Sequence, residues 1–261
     1  SVRGMTSTAA FLGHGSPMNA IEHNRYTESW ASFGTSQPKP KAVVCISAHW
    51  YVGSVAVTAM QNPRTIYDFG GFPQELFEYN YPVVGSPEVA QRVASVLPNH
   101  SVVMDESQWG IDHGSWSVLC HVFPDADVPV VQLSINANLP ARDHVEIGRL
   151  LAPLISEDIM IVGSGNIVHN LSIIQWDQVG KGAPWAEEFD AQARQILTGK
   201  NPSNIVSLLD HPQAHKAVPT AEHFLPIAYI AGIAEAAGKS LDVLVGGCEL
   251  GSLSMTSYVL S

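Results

Sequence analysis

Three apolar runs in the sequence each end in small residues, and a histidine follows within a few positions. The runs and their histidines are 8–12 with His14, 42–47 with His49, and 159–162 with His169. A continuous apolar run is typical of a strand that is buried on both faces of a parallel sheet. If the three strands are neighbours, their carboxyl ends lie along one edge, where open α/β sheets bind ligands. The pattern therefore predicts histidines that converge there, and we interpret them as a mononuclear metal site.

The rest of the chain alternates between strand and helix patterns. Further strands are predicted at 55–59, 128–133, 241–245 and 254–260. Helices are predicted at 24–33, 87–97, 118–123, 185–197 and 204–209, and after Pro140. Thr220 is the expected cap of one more, buried helix that carries Pro226 near its start. This alternation predicts an α/β fold with a mostly parallel central sheet and helices on both faces, and we expect 1–261 to form a single domain.

The charge balance limits the partners that this chain can have. Lys and Arg total 13 against 24 Asp and Glu, so the formal net charge is −11. Nucleic acids and anionic membranes favour basic surfaces, so we expect neither as a partner. The most apolar stretch, 224–234, is too short to span a bilayer, and segment 1–5 has no apolar leader core. With three widely spaced cysteines, these features predict a cytoplasmic protein, a monomer or a small homo-oligomer.

Five of the 11 histidines lie where a side chain can be aimed at a ligand. They occur at inferred strand ends or helix starts and are His14, His49, His113, His169 and His223. The other six have polar or helical contexts and are interpreted as solvated or structural: His23, His100, His121, His144, His211 and His215. Neutral imidazole is the commonest metal ligand and the usual general base near neutral pH. Five such positions together favour a metal site over five unrelated core histidines.

Several other sites fit the sequence poorly. No cysteine pair has zinc-ribbon spacing, and no HExxH, Walker or GxGxxG segment occurs. A serine hydrolase is disfavoured because no GxSxG elbow is present and Pro17, after Ser16, lacks the amide that an oxyanion hole would use. Two alternatives stay open at this point. One is a zinc-dependent hydrolase that uses the same histidines, and the other is a non-enzymatic binding protein.

Segment 66–73 combines aromatic residues with glycines and a proline, so it cannot form a regular element. Its aromatic side chains are Tyr67, Phe69 and Phe72. One interpretation is a surface loop that packs onto the core. The other is a lid whose aromatic wall covers a flat substrate. The sequence pattern leaves both interpretations open.

Seven motifs together resemble one family of metalloenzymes. They are GHGSPM at 13–18, SAHW at 47–50, IYDFGGFP at 66–73, DHGSW at 112–116, SGNIVHNL at 164–171, EHFLPI at 222–227 and GSLSM at 251–255. In this order they resemble the DOPA-type extradiol ring-opening dioxygenases, which are related to the class III enzymes that cleave protocatechuate. The resemblance spans nearly the whole chain. It implies a catechol and O2 as substrates, with DOPA cut between ring carbons 4 and 5.

The resemblance also implies roles for the five histidines. His14, His49 and His223 match metal ligands, and His169 matches a histidine that either joins the ligands or acts as acid/base. His113 matches a histidine that faces the substrate. Protocatechuate-type relatives use a glutamate where His223 stands here, which leaves Glu222 and Glu249 as carboxylate candidates. The implied metal is Fe(II), in a facial arrangement with open positions, and Zn(II) can occupy such a site. Tyr67, Phe69 and Phe72 would line the substrate.

Overall fold

The computed structural model describes residues 6–261 of the chain. The expectation that segment 1–5 carries no leader core lies outside these residues. Six strands form the main sheet: β1 (Ala9–Gly13), β2 (Ala42–Ser47), β3 (Val130–Gln132), β4 (Ile159–Gly165), β5 (Leu241–Val245) and β6 (Ser257–Leu260). Their order across the sheet is β5-β6-β1-β4-β2-β3. The four strands from β1 to β3 in this order are parallel, whereas β6 runs antiparallel to β1 and to β5. The predicted mostly parallel sheet is thus confirmed.

Six longer helices accompany the sheet. They are α1 (Arg25–Ser36), α2 (Pro87–Val96), α3 (His113–Val122), α4 (Ala141–Leu151), α5 (Pro184–Leu197) and α6 (Leu225–Ala236). Shorter α-helical or 3-10 segments are Pro17–Ala20, Gln74–Phe77, Ala152–Glu157, Leu171–Ile173, Pro202–Asp210 and Ala214–Ala217. Short strand pairs lie outside the main sheet: Tyr51–Val52 with Ile135–Asn136, Ala56–Thr58 with Val103–Asp105, Arg64–Thr65 with Gly110–Ile111, and Cys248–Glu249 with Leu253–Ser254.

Alternate strand residues enter two separate apolar layers. In β2, Val44 and Ile46 pack with residues of α2, α4, α5 and α6, whereas Val43 and Cys45 pack with α1 and α3. Successive side chains of a strand point to opposite faces, so helices on both sides bury every position of a central strand. This explains why the central strands read as continuous apolar runs rather than alternating ones. The predicted helices on both faces are confirmed.

The register of the parallel strands aligns their carboxyl ends. Gly13 of β1 pairs with Gly165 of β4, and Ser164 of β4 pairs with Ser47 of β2. The chain therefore leaves all three strands at one level of the sheet. Strand β4 continues to Gly165 rather than ending at 162 as the sequence predicted, because small residues there are still paired on both sides.

Two other predicted elements differ in the structure. The strand predicted at 254–260 is broken, because residues before Met255 pair in a small hairpin and only those after Thr256 join the main sheet. Thr220 is not a helix cap, since α6 begins at Leu225 with Phe224 in the cap position. His223 therefore lies in the turn before the helix rather than in its first turn. That turn gives its ring the freedom to face the sheet edge.

Helices α4 and α6 cross at two reciprocal glycines. A Cβ atom on Gly148 would meet the backbone oxygen of Tyr229, and one on Gly232 would meet the backbone oxygen of Val145. The two backbones therefore touch without side chains between them. Beside this crossing, the fully buried His144 ring receives the Tyr229 hydroxyl hydrogen bond on Nδ1 at 2.7 Å. Among residues 6–261, no helix is both long and apolar enough to cross a membrane.

Candidate metal centre

His14 occupies the turn that follows β1. Its backbone is held from two sides: the His14 amide donates to the Gly165 carbonyl at 3.0 Å, and the Asn19 side-chain amide donates to the His14 carbonyl at 2.9 Å. Gly15 has φ of +60°, a left-handed conformation that favours glycine, and a Cβ there would also collide with Met255. The GHG pattern thus serves a turn that aims His14 across the strand ends.

His49 follows β2 by two residues and is positioned by a serine. The Ser47 hydroxyl accepts from the His49 amide at 3.2 Å and donates to Asp112 Oδ1 at 2.7 Å. Asp112 is fully buried, and its other oxygen accepts from Trp109 and Gln132. Burial and the charge of Asp68 raise the pKa of Asp112, while the hydrogen bonds from Gln132 and Ser47 oppose that rise. This network fixes the end of β2 against the start of α3.

His113 is the first residue of α3, immediately after the Asp112 cap. Its Nδ1 lies 2.8 Å from Asp68 Oδ1, and its backbone amide donates to the same oxygen at 3.0 Å. The second oxygen of Asp68 lies 3.5 Å from Nδ1 of His49. One carboxylate from the aromatic loop therefore contacts two of the predicted site histidines.

His223 and His169 reach the site from the far side of β4. Asn166 joins His223 to the turn after β1: its backbone amide donates to the His223 carbonyl at 2.8 Å, and its Oδ1 accepts from the Gly15 amide at 3.2 Å. The rings of His169 and His223 stack with centroids 3.5 Å apart and planes 5° apart. All five histidines that the sequence singled out therefore lie in one connected ring cluster.

The ring cluster contains two overlapping triangles. The centroids of His14, His49 and His223 are separated by 5.2, 5.3 and 5.1 Å. His113 lies on the other side of the same edge, 3.9 Å from His49 and 6.0 Å from His14. One potential ligand atom from each of His14, His49 and His113 lies within 4.8 Å of the other two. The ligand atoms of His14, His49 and His113 are thus close enough to share an ion, and the rings of His14, His49 and His223 have comparable centroid separations.

A hydrogen bond to Nδ1 of His14 leaves Nε2 as the free nitrogen of that ring. Ser164 Oγ donates its hydrogen to the Gly114 carbonyl at 2.5 Å, so it must accept from Nδ1 of His14 at 2.9 Å. Nε2 of His49 is buried without a hydrogen-bond partner among residues 6–261. Metal-bound histidines typically donate their other N–H to an oxygen in this way. A buried, unpartnered nitrogen beside neutral rings fits a divalent cation.

Burial favours the uncharged imidazoles that a metal needs. Desolvation, with the neighbouring His49, holds the pKa of His14 well below its usual value, and desolvation with His113 does the same for His49. Desolvation and His223 lower the pKa of His169 to about 3. At neutral pH these three rings therefore carry lone pairs and no net charge, which is the form that binds metals.

Neither of the two carboxylate candidates joins the ring cluster as a further potential ligand. Glu249 accepts from the Tyr26 hydroxyl at 2.9 Å and from the Gly180 amide at 2.5 Å, so both of its oxygens are used elsewhere. Glu222 lies 3.4 Å from Nδ1 of His223 and accepts from Thr220. Burial would raise the pKa of Glu222, but the hydrogen bonds from His223 and Thr220 lower it to about 2. Glu222 is thus a charged partner behind a ring and not a member of the cluster.

The aromatic loop contacts the cluster through one ring. Phe69 meets the His113 ring edge-on with centroids 5.4 Å apart, and Phe72 packs edge-on against Phe69 at 5.5 Å. The Tyr67 hydroxyl donates to the Tyr79 carbonyl at 2.6 Å, so the Tyr67 ring is held against the backbone of residue 79. The loop packs on the core, as the first sequence interpretation expects, and it also borders the histidines.

Sequence reasoning missed three positioning side chains: Asp68, Ser164 and Asn166. Each lies inside a quoted motif, yet only the folded structure shows that it contacts a site histidine or its backbone. The sequence did contain a signal for Asp68. A single acidic residue within an aromatic and glycine-rich loop has no packing role, which indicates a polar partner elsewhere in the fold. Ser164 and Asn166 resemble ordinary turn residues, and nothing local distinguishes them.

Comparison with known proteins identifies similar chains of the same length. Residues 8–256 match the family model described as "Catalytic LigB subunit of aromatic ring-opening dioxygenase". The chain is 47% identical to the 4,5-DOPA dioxygenase extradiol of Escherichia coli K12, over 97% of this chain and 95% of that protein. It is 35% identical to the 4,5-DOPA dioxygenase extradiol of Beta vulgaris, over 95% and 94%. A crystal structure of an uncharacterized Escherichia coli K12 protein superposes with a TM-score of 0.86 at 42% identity, covering 98% of this chain and all of that one.

Proposed function

The chain belongs to the family of the catalytic LigB subunit of aromatic ring-opening dioxygenases, and on this premise we propose that it cleaves DOPA between ring carbons 4 and 5. In such an extradiol reaction one ring C–C bond breaks and both atoms of O2 enter the product. The product then carries a new carboxylate and a new aldehyde. The observation that carries the proposal is the convergence of five histidines at the sheet edge of a chain that matches this family from residue 8 to residue 256.

Enzymes of this family use a non-haem metal, and we propose Fe(II) held by His14, His49 and His223. The nearly equal separation of these three rings supports the assignment. A bound ion supplies Lewis acidity toward the two catechol oxygens and the redox chemistry that dioxygen requires. Three neutral nitrogen ligands leave the remaining positions open for substrates. Zn(II) accepts the same nitrogen ligands, so we expect it to compete for the site in purified protein.

Two further histidines handle protons in this proposal. His169 stacks against His223 at the border of the site and is the candidate base for a catechol hydroxyl. His113 is bordered by Asp68 on one side and by Phe69 on the other, so its free nitrogen faces the space next to His49. It is the candidate acid that protonates an oxygen as the ring opens. Phe69 and Phe72 line the substrate side and exclude water there, and Tyr67 supports them from behind.

The activity is tested with metal-free protein loaded under argon. The protein is supplied with Fe(II) and then DOPA, air is admitted, and oxygen uptake is recorded with the absorbance of the yellow product. We expect one O2 consumed per DOPA. Loading with Zn(II) is the matched control and should abolish oxygen uptake, because Zn(II) has no redox chemistry. Hydrolysis of an ester or amide by the zinc-loaded protein, without turnover of any catechol by the iron-loaded one, would contradict the proposal.

The location and assembly of the protein follow as secondary proposals. Cys45, Cys120 and Cys248 are all buried free thiols, which supports a reducing, cytoplasmic location. Each site histidine comes from the same chain, so we propose that a monomer is competent and that any homo-oligomer is small. Fractionation of cells and light scattering of the purified protein test these two points.

A further inference from the structure

We propose that Asp68 is a positioning residue that fixes the tautomer of two site histidines, His49 and His113, at the same time. The inference builds on the proposed function, but its test does not depend on turnover. Asp68 lies in the aromatic loop between Tyr67 and Phe69, a segment for which sequence reasoning considered only the aromatic side chains. Its carboxylate instead points toward the histidines.

The contacts of Asp68 divide its two oxygens between the rings. Oδ1 lies 2.8 Å from Nδ1 of His113, and Oδ2 lies 3.5 Å from Nδ1 of His49. The side chains are largely buried, with 18% of Asp68, 21% of His49 and 5% of His113 exposed. Within residues 6–261, the ion-pair contacts of Asp68 are to these two imidazoles, so no Lys or Arg competes for its oxygens.

A carboxylate that contacts two imidazoles determines where their hydrogens lie. An ionised carboxylate only accepts hydrogen bonds, and a neutral imidazole has one N–H and one lone pair. For His113 the hydrogen bond at 2.8 Å places the hydrogen on Nδ1, and for His49 the carboxylate charge at 3.5 Å favours the hydrogen on the same atom. In both rings the lone pair is then on Nε2. This matches the surroundings of His49, whose Nε2 is buried without a partner among the described residues. One carboxylate thus sets the tautomer of two rings: His49, a proposed metal ligand, and His113, the proposed acid.

The backbone around Asp68 is anchored well enough for this role. Arg64–Thr65 pairs with Gly110–Ile111 just before the loop, and the Ile66 amide donates to the Ile111 carbonyl at 2.7 Å. The Trp116 indole donates to the Ile66 carbonyl at 2.9 Å. The Asp68 Oδ1 atom also accepts from the His113 backbone amide at 3.0 Å, so the carboxylate joins the loop to the first residue of α3. A group held in this way can orient its partners precisely enough for metal binding.

Asp68→Asn tests the inference with the smallest possible change. The amide retains the shape but replaces one acceptor oxygen with an NH2 donor, so one imidazole must face a donor and relocate its hydrogen to Nε2. The readouts are the imidazole nitrogen NMR shifts of the metal-free protein and the dissociation constant for Co(II), measured by visible absorption. We expect wild type to show the Nδ1–H tautomer at both rings. Asp68→Asn should shift at least one ring and weaken Co(II) binding by about 10- to 100-fold.

Two further variants make the result specific. Glu75→Gln removes the same charge from an exposed position that contacts no site histidine, and should leave both readouts unchanged. Asp68→Glu restores a carboxylate and should recover the Nδ1–H tautomers with part of the affinity. Wild-type protein with the hydrogen on Nε2 of either ring would overturn the inference, as would Asp68→Asn with wild-type tautomers and Co(II) affinity. If the variant fails to fold, the NMR spectrum of the wild type still tests the inference, because it shows the tautomers of His49 and His113 directly. Failure of DOPA turnover with the expected tautomers present would reject the proposed function and not this role.

Discussion

His169 and His223 stack as parallel rings, with centroids 3.5 Å apart and planes that differ by 5°. The lone pair of an imidazole nitrogen lies in the ring plane, so a bound metal ion must lie near that plane. Two parallel planes that are stacked on each other cannot both contain one ion. The arrangement therefore supports only one of the two as a ligand, and His223 is the ring that lies close to both His14 and His49.

Alanine substitutions separate the two stacked rings. We expect His223→Ala to abolish measurable Co(II) binding, because one of three proposed ligands is lost. His169→Ala should retain Co(II) binding within about 10-fold and should lower kcat by about 10²- to 10⁴-fold, the usual contribution of a general base. Titration with Co(II) and oxygen uptake with the iron-loaded protein measure the two effects. Equal loss of metal in both variants would reject this division.

Phe69 determines how well an aromatic ring fits beside His113. Phe69→Leu retains an apolar side chain but removes the aromatic face, so we expect KM for DOPA to rise about 3- to 10-fold, as for the loss of one aromatic pair. Tyr67→Phe is the matched control in the same loop, since it removes only the hydroxyl that donates to Tyr79. Tyr67→Phe should leave KM for DOPA within about 2-fold of the wild-type value. Steady-state oxygen uptake measures both, and a larger effect in Tyr67→Phe would contradict the assignment.

The crossing of α4 and α6 predicts a stability effect far from the metal centre. Gly232→Ala places a methyl group against the Val145 backbone oxygen, which cannot move aside. We expect the free energy of unfolding to fall by about 1–3 kcal/mol, the usual cost of overpacking. Gly53→Ala is the control, because its methyl group would meet only the end of the Asn138 side chain. Urea unfolding of both variants measures the difference, and equal midpoints would contradict the prediction.

Buried His144 predicts a pH dependence of stability. Burial lowers its pKa in the folded protein, whereas the unfolded chain titrates near 6.5. The unfolded state therefore binds more protons below pH 6.5, so the contribution of neutral His144 is complete above that pH and is lost as pH falls toward the folded pKa. Between pH 8 and pH 5 the loss amounts to at most about 2 kcal/mol.

His144→Gln removes this contribution and leaves the other histidines in place. The variant should be less stable than wild type at pH 8, because the glutamine side chain does not reproduce the hydrogen bond between the His144 ring and the Tyr229 hydroxyl. The difference in unfolding free energy should shrink as the pH is lowered to 5. Urea unfolding of the metal-free proteins at several pH values measures it, and a difference that does not change with pH would contradict the prediction.

The parts of the fold that follow from local apolar patterns were predictable. Strand β2 has the predicted bounds, and five distant histidines were expected to meet because parallel strands align their ends. The end of β4 was not predictable, since glycine and serine are weak strand formers and remain paired there only because β1 and β2 lie on either side. The first helix was predicted to end at residue 33, yet α1 continues to Ser36 because Gly34 packs against the Val122 carbonyl.

The hydrogen-bond partners of the histidines were beyond the reach of sequence patterns. Asp68 is 45 residues from His113, and Ser164 is 150 residues from His14. Contacts of this separation depend on the assembled sheet and on the loop beside its strand ends. The family resemblance supplied the histidines and their implied roles, whereas the structure supplies the groups that orient them.

Strand β1 lies in the middle of the sheet, between β4 and β6. It is synthesised before both of its neighbours in the sheet, because β4 begins at Ile159 and β6 begins at Ser257. The two edges of this apolar strand therefore gain their partners at different times, and the edge that faces β6 stays unpaired long after β4 has been made. Cotranslational assembly of this sheet has to wait for its final strand, and during that wait the nascent chain is the form most exposed to aggregation and most dependent on chaperones.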